Sequence, residues 1–303
     1  MDPSALATLR AVRAHGGVTA AAAVRHLTPS AVSQQLATLQ REVGVALTER
    51  AGRGVRLTPA GHALADAALD VAVALERARA ACDAFVASPG GTVTVSAFSS
   101  GAQLLLPGLL GRVAALDGLT VECADEDVAQ DRFVTLTDRF DLVVAHRPDG
   151  GAGWGPDVVV EPLLREPLDV AVPCDHPLAA GGSVAPADLV GLPWIAVRAG
   201  FPVARVLDEL TVRTGVEPRV VHRINDFHVV EALVAAGRGV SLLPRFTTRA
   251  GPGSGLRLLP LRDVRAGRLV EVLLRPDRAR RVAVQRVLAE LRALAAEVVA
   301  STS

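Results

Sequence analysis

The chain of 303 residues has no lysine and no tyrosine, one methionine, two tryptophans and three cysteines. All 32 basic residues are therefore arginine, and aromatic residues make up only 3%. Together with the abundance of Ala, Gly and Pro, this reads as GC-rich coding, so an arginine here need not signal guanidinium chemistry. Cys82, Cys123 and Cys174 are odd in number and far apart, with no CxxC and no zinc-ligand spacing. Neither a disulfide framework nor a metal site is expected from them; reduced thiols are. A redox-sensing thiol needs an activated, exposed cysteine beside a partner, and nothing in the sequence marks one. No apolar run reaches the ~18 residues of a membrane span. The opening Met1-Asp2-Pro3-Ser4 lacks the basic and apolar pattern of a leader, so a cytoplasmic location and no membrane partner are expected. GxGxxG, the P-loop, HExxH and GxSxG are all missing. Catalysis and a bound cofactor are therefore not expected. A metabolic enzyme or solute-binding module with an accessory N-terminal domain is the alternative reading; it lacks motif and targeting support and leaves residues 1–87 unexplained.

What is present is a hydrophobic half and an uneven spread of charge. Net charge is zero, yet residues 1–60 hold seven Arg against three acids and carry +4, which leaves −4 on the remainder. A basic head on an acidic body suits nucleic-acid contact through one domain only.

The head is organised by the stretch from Val18 to Gly61. Residues 3–15 read as a first helix with Leu6, Leu9 and Val12 inward, ended by Gly16-Gly17. Thr19 is expected to cap a second, Ala-rich helix. At His26-Leu27-Thr28-Pro29 the pattern breaks. Thr28 suits an N-cap, and Pro29 a first helical position. In the helix that follows, Val32, Leu36, Leu39 and Val43 share one face. The opposite face carries Ser30, Gln34, Thr38 and Arg41, flanked by Ser33 and Gln35. Any amphipathic helix shows such a face to water. It is also what a helix entering the major groove needs, because base edges and phosphates are read by hydrogen bonds. Arg53-Gly54-Val55-Arg56 then reads as a small basic wing.

In this order, Ala20-Ala21-Ala22, Ala31-Val32-Ser33, Leu39, Gly44-Val45, Leu47, Glu49-Arg50 and Arg53-Gly54-Val55-Arg56-Leu57-Thr58-Pro59-Ala60-Gly61 resemble the winged helix-turn-helix of LysR-type transcriptional regulators. Three positions depart from the pattern. Thr48 stands in place of an aromatic residue and Gln40 in place of a common Glu. Arg25 stands where the second helix usually buries Leu, with Leu27 placed to fill the gap. The resemblance implies an all-α winged helix-turn-helix domain over residues 1–58. It also implies double-stranded DNA as partner, contacted by Thr28, Ser30, Ser33, Gln34, Thr38, Arg41, Arg53 and Arg56.

Thr58-Pro59 repeats the cap-and-proline signal and opens a long helix over 59–87, roughly 43 Å at ~1.5 Å per residue. Gly61, Leu64, Ala68, Val71, Leu75, Ala78, Cys82 and Phe85 alternate steps of three and four, a coiled-coil seam. Packing on the chain's own body would use the same stripe. Beside a DNA-binding head, a homodimer through this helix is expected, since two heads on a symmetric frame read two half-sites. The family often goes on to a homotetramer.

Ser88-Pro89-Gly90-Gly91 reads as a hinge. Beyond it, strands alternate with helices. Strands are expected at 92–96, 120–124, 142–145, 168–172, 193–197, 219–222, 240–243 and 269–274, and helices at 104–115, 128–137, 203–214, 226–236 and 277–300. That alternation predicts an α/β fold. Two such lobes resemble the periplasmic-binding-protein-like effector domain of the same family over 92–303. The resemblance puts about 92–163 plus 267–303 in lobe I, about 164–266 in lobe II, and a small-molecule effector between them.

Ligands in such sheets sit beyond the carboxyl ends of the strands. Ser99 and Ser100 follow the first strand and open a helix, whose free N–H groups attract an anion; simple helix capping is the plainer role for them. Arg198 and Phe201 follow a strand of the second lobe. Phe98 and Phe201 would wall a cleft, and His146 and Asn225 fall at comparable strand ends. The expected effector is a carboxylate or an amino acid. A body that only dimerises, without any effector, is the remaining alternative.

Overall fold

The computed structural model describes residues 1–52, 54–83, 90–201, 203–251 and 253–302. Three helices build the head: α1 (Pro3–His15), α2 (Val18–Arg25) and α3 (Pro29–Val43). Thr28 Oγ1 accepts the Ala31 N–H at 3.2 Å, and Gly44 closes α3 in the left-handed conformation. α2 differs from expectation. It starts at Val18 behind Gly17, so Thr19 lies inside the helix and caps nothing. Leu9, Ala21, Val32, Leu36 and Leu39 meet in one buried cluster, with Leu27 packed against it.

The wing is an antiparallel hairpin of β1 (Thr48–Ala51) and β2 (Gly54–Leu57). Gln40 explains how it stands without an aromatic at position 48. Its Oε1 accepts from the Leu47 N–H, the Thr48 N–H and the Thr48 hydroxyl at 2.9–3.0 Å.

α4 (Pro59–Asp83) is the long helix, and Thr58 Oγ1 accepts the Gly61 N–H at its start. The seam divides in two. Gly61 and Ala68 are buried and Leu64 half-buried against the chain's own head, whereas Val71 and Leu75 are 39% and 40% exposed. Only the distal part stays exposed, and there Leu75, Ala78 and Cys82 line a cavity that faces Asp277 and Arg278 of the chain's own body. Phe85 and Ser88-Pro89 lie outside the described residues.

The rest is two α/β lobes. The central sheet runs β10 (Leu256–Leu259), β6 (Val159–Pro173), β11 (Gly267–Leu274), β5 (Leu142–Pro148), β3 (Gly91–Ala97), β4 (Leu119–Asp125), with β9 (Ser241–Pro244) also paired to β6. β7 (Pro193–Ala196) and β8 (Arg219–Arg223) form a separate parallel pair, bridged to the sheet at Trp194 and Val240. One core gathers β3, β5 and β11 with α5 (Ser99–Val113) and α9 (Val282–Thr302), and we call this lobe I. Two further clusters, around Trp194 and around Ile195, fill lobe II with α7 (Ala204–Thr214) and α8 (Phe227–Ala235).

Other expectations need correction. The strand at 168–172 is only the second half of β6, whose first half pairs with β11 and whose second half pairs with β9 and β10. The strand runs on through Pro162 and Pro167, with a register shift between Leu164 and Pro162. The helix expected at 128–137 shrinks to a 3₁₀ turn and the single turn α6 (Phe133–Leu136). There the Thr135 and Thr137 hydroxyls bond to backbone carbonyls and compete with helix propagation. The last helix starts at Val282 and not at Asp277, after a 3₁₀ turn at Arg278–Arg280.

Candidate functional sites: a recognition helix and an interlobe cavity

α3 places Ser30, Ser33, Gln34 and Arg41 at the surface and Thr38 half-buried, opposite the buried Val32, Leu36 and Leu39. Gln34 has no hydrogen-bond partner among the described residues. Its neighbours are held: Ser30 Oγ lies 2.9 Å from Thr28 Oγ1, the Ser33 hydroxyl donates to the Pro29 carbonyl, and Arg41 donates to Thr38 Oγ1 at 3.0 Å. Gln35, on the flank, turns inward and accepts from the Thr8 hydroxyl at 2.6 Å. In the wing, Arg56 is 69% exposed and pairs with Glu49 at 2.8 Å. Arg53 lies outside the described residues.

Between the lobes, β3 delivers Phe98 and the start of α5. Phe98 is itself the N-cap and no side chain caps this helix, so the plain capping role for Ser99 and Ser100 does not hold. Ser99 is exposed, and Ser100 Oγ instead accepts from Arg268 Nη2 at 2.7 Å. A cavity at this point is walled by Phe98, Ser99, Ser100, His146, Phe201 and Asn225, six residues marked from the sequence. Arg198 is not in the wall. Its guanidinium lies over the Phe201 ring at 5.4 Å, while its backbone N–H donates to Asn225 Oδ1 at 2.8 Å.

The wall also holds residues that the sequence did not mark, among them Gln103, Asp127, Asp226, Phe227 and Arg268. Arg268 is 1% exposed, forks onto the equally buried Glu166 at 2.6 and 2.8 Å, and lies 4.7 Å from the Phe98 ring centre. Asp226 is committed to α8, since its Oδ1 accepts the His228 N–H at 2.9 Å. Asp127 lies beside Asn225 in the same wall. Partial burial pushes its carboxyl up, offset by the neighbouring Asn225 amide and the charges of Arg268 and Arg198.

His146 is closed off from solvent. It is 3% exposed, inside β5, and its ring centre lies 4.3 Å from Phe98 and 5.6 Å from Phe133. Burial, then the positive charge of Arg268, hold it well below its ordinary pKa, so it is neutral. Among the described residues its Nδ1, Glu166 Oε1 and Asn225 Nδ2 are buried without hydrogen-bond partners. Buried polar atoms of that kind cost free energy until something satisfies them. The space now left for water-sized molecules is about 30 Å³, room for roughly two waters.

Two family models match the chain. "Bacterial regulatory helix-turn-helix protein, lysR family" matches residues 3–62, and "LysR substrate binding domain" matches residues 87–296. The chain belongs to the LysR family. It is a DNA-binding transcriptional regulator with an effector-binding domain of two lobes. Among its relatives is a probable RuBisCO transcriptional regulator of Synechocystis sp., 23% identical over 283 residues that cover 91% of this chain and 81% of that protein. The transcriptional dual regulator GltC of Bacillus subtilis is 28% identical over 227 residues, 72% of each chain. In fold, this LysR protein is similar to a full-length OxyR variant from Pseudomonas aeruginosa, with TM-score 0.66, 21% identity and 96% and 98% of the two chains covered. It is also similar to full-length CbnR complexed with its target DNA, with TM-score 0.53, 23% identity and 97% and 100% covered. Among the described residues no helix is long and apolar enough to cross a membrane.

Proposed function

We propose that this LysR regulator acts as a cytoplasmic homodimer, or a tetramer built from such dimers, that reads duplex DNA through residues 1–58. α3 presents Gln34, Ser30, Ser33, Thr38 and Arg41 to the major groove, and Thr28, Arg53 and Arg56 meet the phosphate backbone. The reading draws support from the unpartnered Gln34 amide, because glutamine pairs bidentately with adenine N6 and N7. Residues 59–87 pair two copies through the open distal seam at Val71 and Leu75. The effector domain spans residues 92–303.

The effector is a small carboxylate or amino acid held between the lobes by Ser99, Ser100, His146, Asn225 and Arg268, with Phe98 and Phe201 as apolar walls. Arg198 closes over Phe201 at the mouth. The observation that carries this is the convergence of an uncapped helix start, a buried guanidinium and buried polar atoms without partners on one cavity. Asp127 would take the ammonium group of an amino acid. Since only about 30 Å³ is open, the lobes part to admit the ligand, and its affinity difference between open and closed cleft shifts the population.

The test is thermal unfolding of the full chain against a library of carboxylates and amino acids. A ligand at 100 times its Kd raises stability by about 2.7 kcal/mol. A library without one stabilising compound would leave the body as a dimeriser without an effector.

A further inference from the structure

The head does not stand free of the effector domain. The C-terminal half of α1 lies against lobe I, and its three basic side chains each meet an acid there. Arg10, 7% exposed, has Nη2 at 3.8 Å from Asp277 Oδ1. Arg13 Nη2 lies 3.7 Å from Asp157 Oδ1 while the same guanidinium pairs with Asp66 of α4. His15 Nε2 lies 2.8 Å from Asp138 Oδ2, with both side chains at most 15% exposed. Arg275 ties the two inner acids together, pairing with Asp138 and placing Nε 3.4 Å from Asp277 Oδ1.

Arg275 is the residue that follows β11, and Arg268 sits at the other end of the same strand. β11 is paired along both edges, to β5 and to β6, so it moves as a stiff rod and not as a hinge. One end of the rod therefore lies under the cavity, bonded to Ser100, and the other end grips the acids that hold the head. A second link runs beside it. Phe133 packs edge-on against Phe98 at 6.5 Å and against His146 at 5.6 Å, and Asp138 follows five residues on.

We propose that the Asp138–Asp157–Asp277 surface of lobe I is a docking surface for the chain's own basic α1, and that β11 with the Phe133–Asp138 segment sets its grip according to what Arg268 and Phe98 meet in the cavity. This rests on reading the cavity as the effector site. A displaced Arg268 shifts Arg275, Asp138 and Asp277 lose register with Arg10 and His15, and the head changes its angle to the body. The charge pattern fits this partner, since three basic side chains of α1 face three acids of lobe I.

Hydrogen–deuterium exchange on the full chain, without any ligand, tests it. Arg275→Gln loosens the dock directly and defines the released state. It is expected to speed exchange of residues 3–15 about fivefold or more. Ser100→Ala removes only the cavity-side bond of Arg268 and is expected to speed the same peptides about threefold. Arg213→Gln, which breaks an exposed pair in lobe II, is expected to leave them unchanged. If Ser100→Ala changes exchange around residues 96–105 but not in 3–15, the coupling is wrong. If Arg275→Gln leaves 3–15 unchanged, the dock itself is wrong. Neither outcome touches the effector reading, which stands or falls on ligand-induced stabilisation of the wild-type chain.

Discussion

Arg268 Nη2 lies 2.7 Å from Ser100 Oγ, joining residues 168 positions apart in the chain. The same guanidinium holds Glu166, and all three side chains are buried. An ion pair in that setting is costly to break from one side, because the surviving charge stays buried and uncompensated. Arg268→Gln should therefore destabilise the effector domain by about 3–5 kcal/mol in urea unfolding. The double variant with Glu166→Gln should recover at least half of that loss. Equal losses in the single and double variants would show that Glu166 does not depend on Arg268 for its charge.

Base reading is expected from Gln34. Gln34→Ala should weaken binding to a specific operator by about 1–3 kcal/mol, roughly 5- to 150-fold, and leave binding to random duplex almost unchanged. Gel-shift titrations on both DNAs at one salt concentration measure it. Equal loss on the two would assign Gln34 to the phosphate backbone or to the fold.

How much of this was legible in the sequence follows from how local each signal is. Thr28-Pro29 and the apolar spacing of Val32, Leu36 and Leu39 are confined to one helix, and the head follows from them. The full length of β6 was not legible, because only its pairings with β11, β9 and β10 show that 159–173 is one strand. Ser99, Ser100, Phe98, Phe201 and Asn225 could be marked because they follow strand ends. Arg268, Glu166 and Asp127 could not, since their roles depend on pairings across distant segments that no spacing encodes. Arg198 had the right position along the chain but turned onto Phe201 and left the wall.

The buried, neutral His146 makes stability depend on pH. The unfolded chain takes up a proton on this ring below about pH 6.5, and the folded chain refuses it. Its contribution is thus present above that pH and is lost as pH falls, by about 1.4 kcal/mol per pH unit. His146→Phe, beside Phe98 and Phe133, should flatten the decline between pH 6.5 and 5.5 in thermal unfolding. A variant that declines as steeply as wild type would place the titrating group elsewhere.

Gly61 tests the junction of wing and linker helix. A Cβ there would fall 2.1 Å from the Leu47 carbonyl oxygen, a backbone atom that cannot swing aside. Gly61→Ala should destabilise the head by about 1–3 kcal/mol through overpacking, seen as a lowered melting temperature and weakened DNA binding. An unchanged melt would mean that α4 shifts freely against the wing.

The open part of the α4 seam should hold two copies together. Val71→Asp with Leu75→Asp places charge on an apolar seam and should weaken the dimer about tenfold or more in sedimentation equilibrium. An unaltered dimer would move the interface to the effector domains.

The central claim is that the head reads DNA sequence as a symmetric pair. Repeated selection of a random duplex library on the full-length protein tests it most directly. The expected result is an enriched site with two half-sites related by a dyad, their centres one helical turn or a multiple of about 10–10.5 base pairs apart. Retention of the library without enrichment, lost uniformly as salt rises, would contradict it.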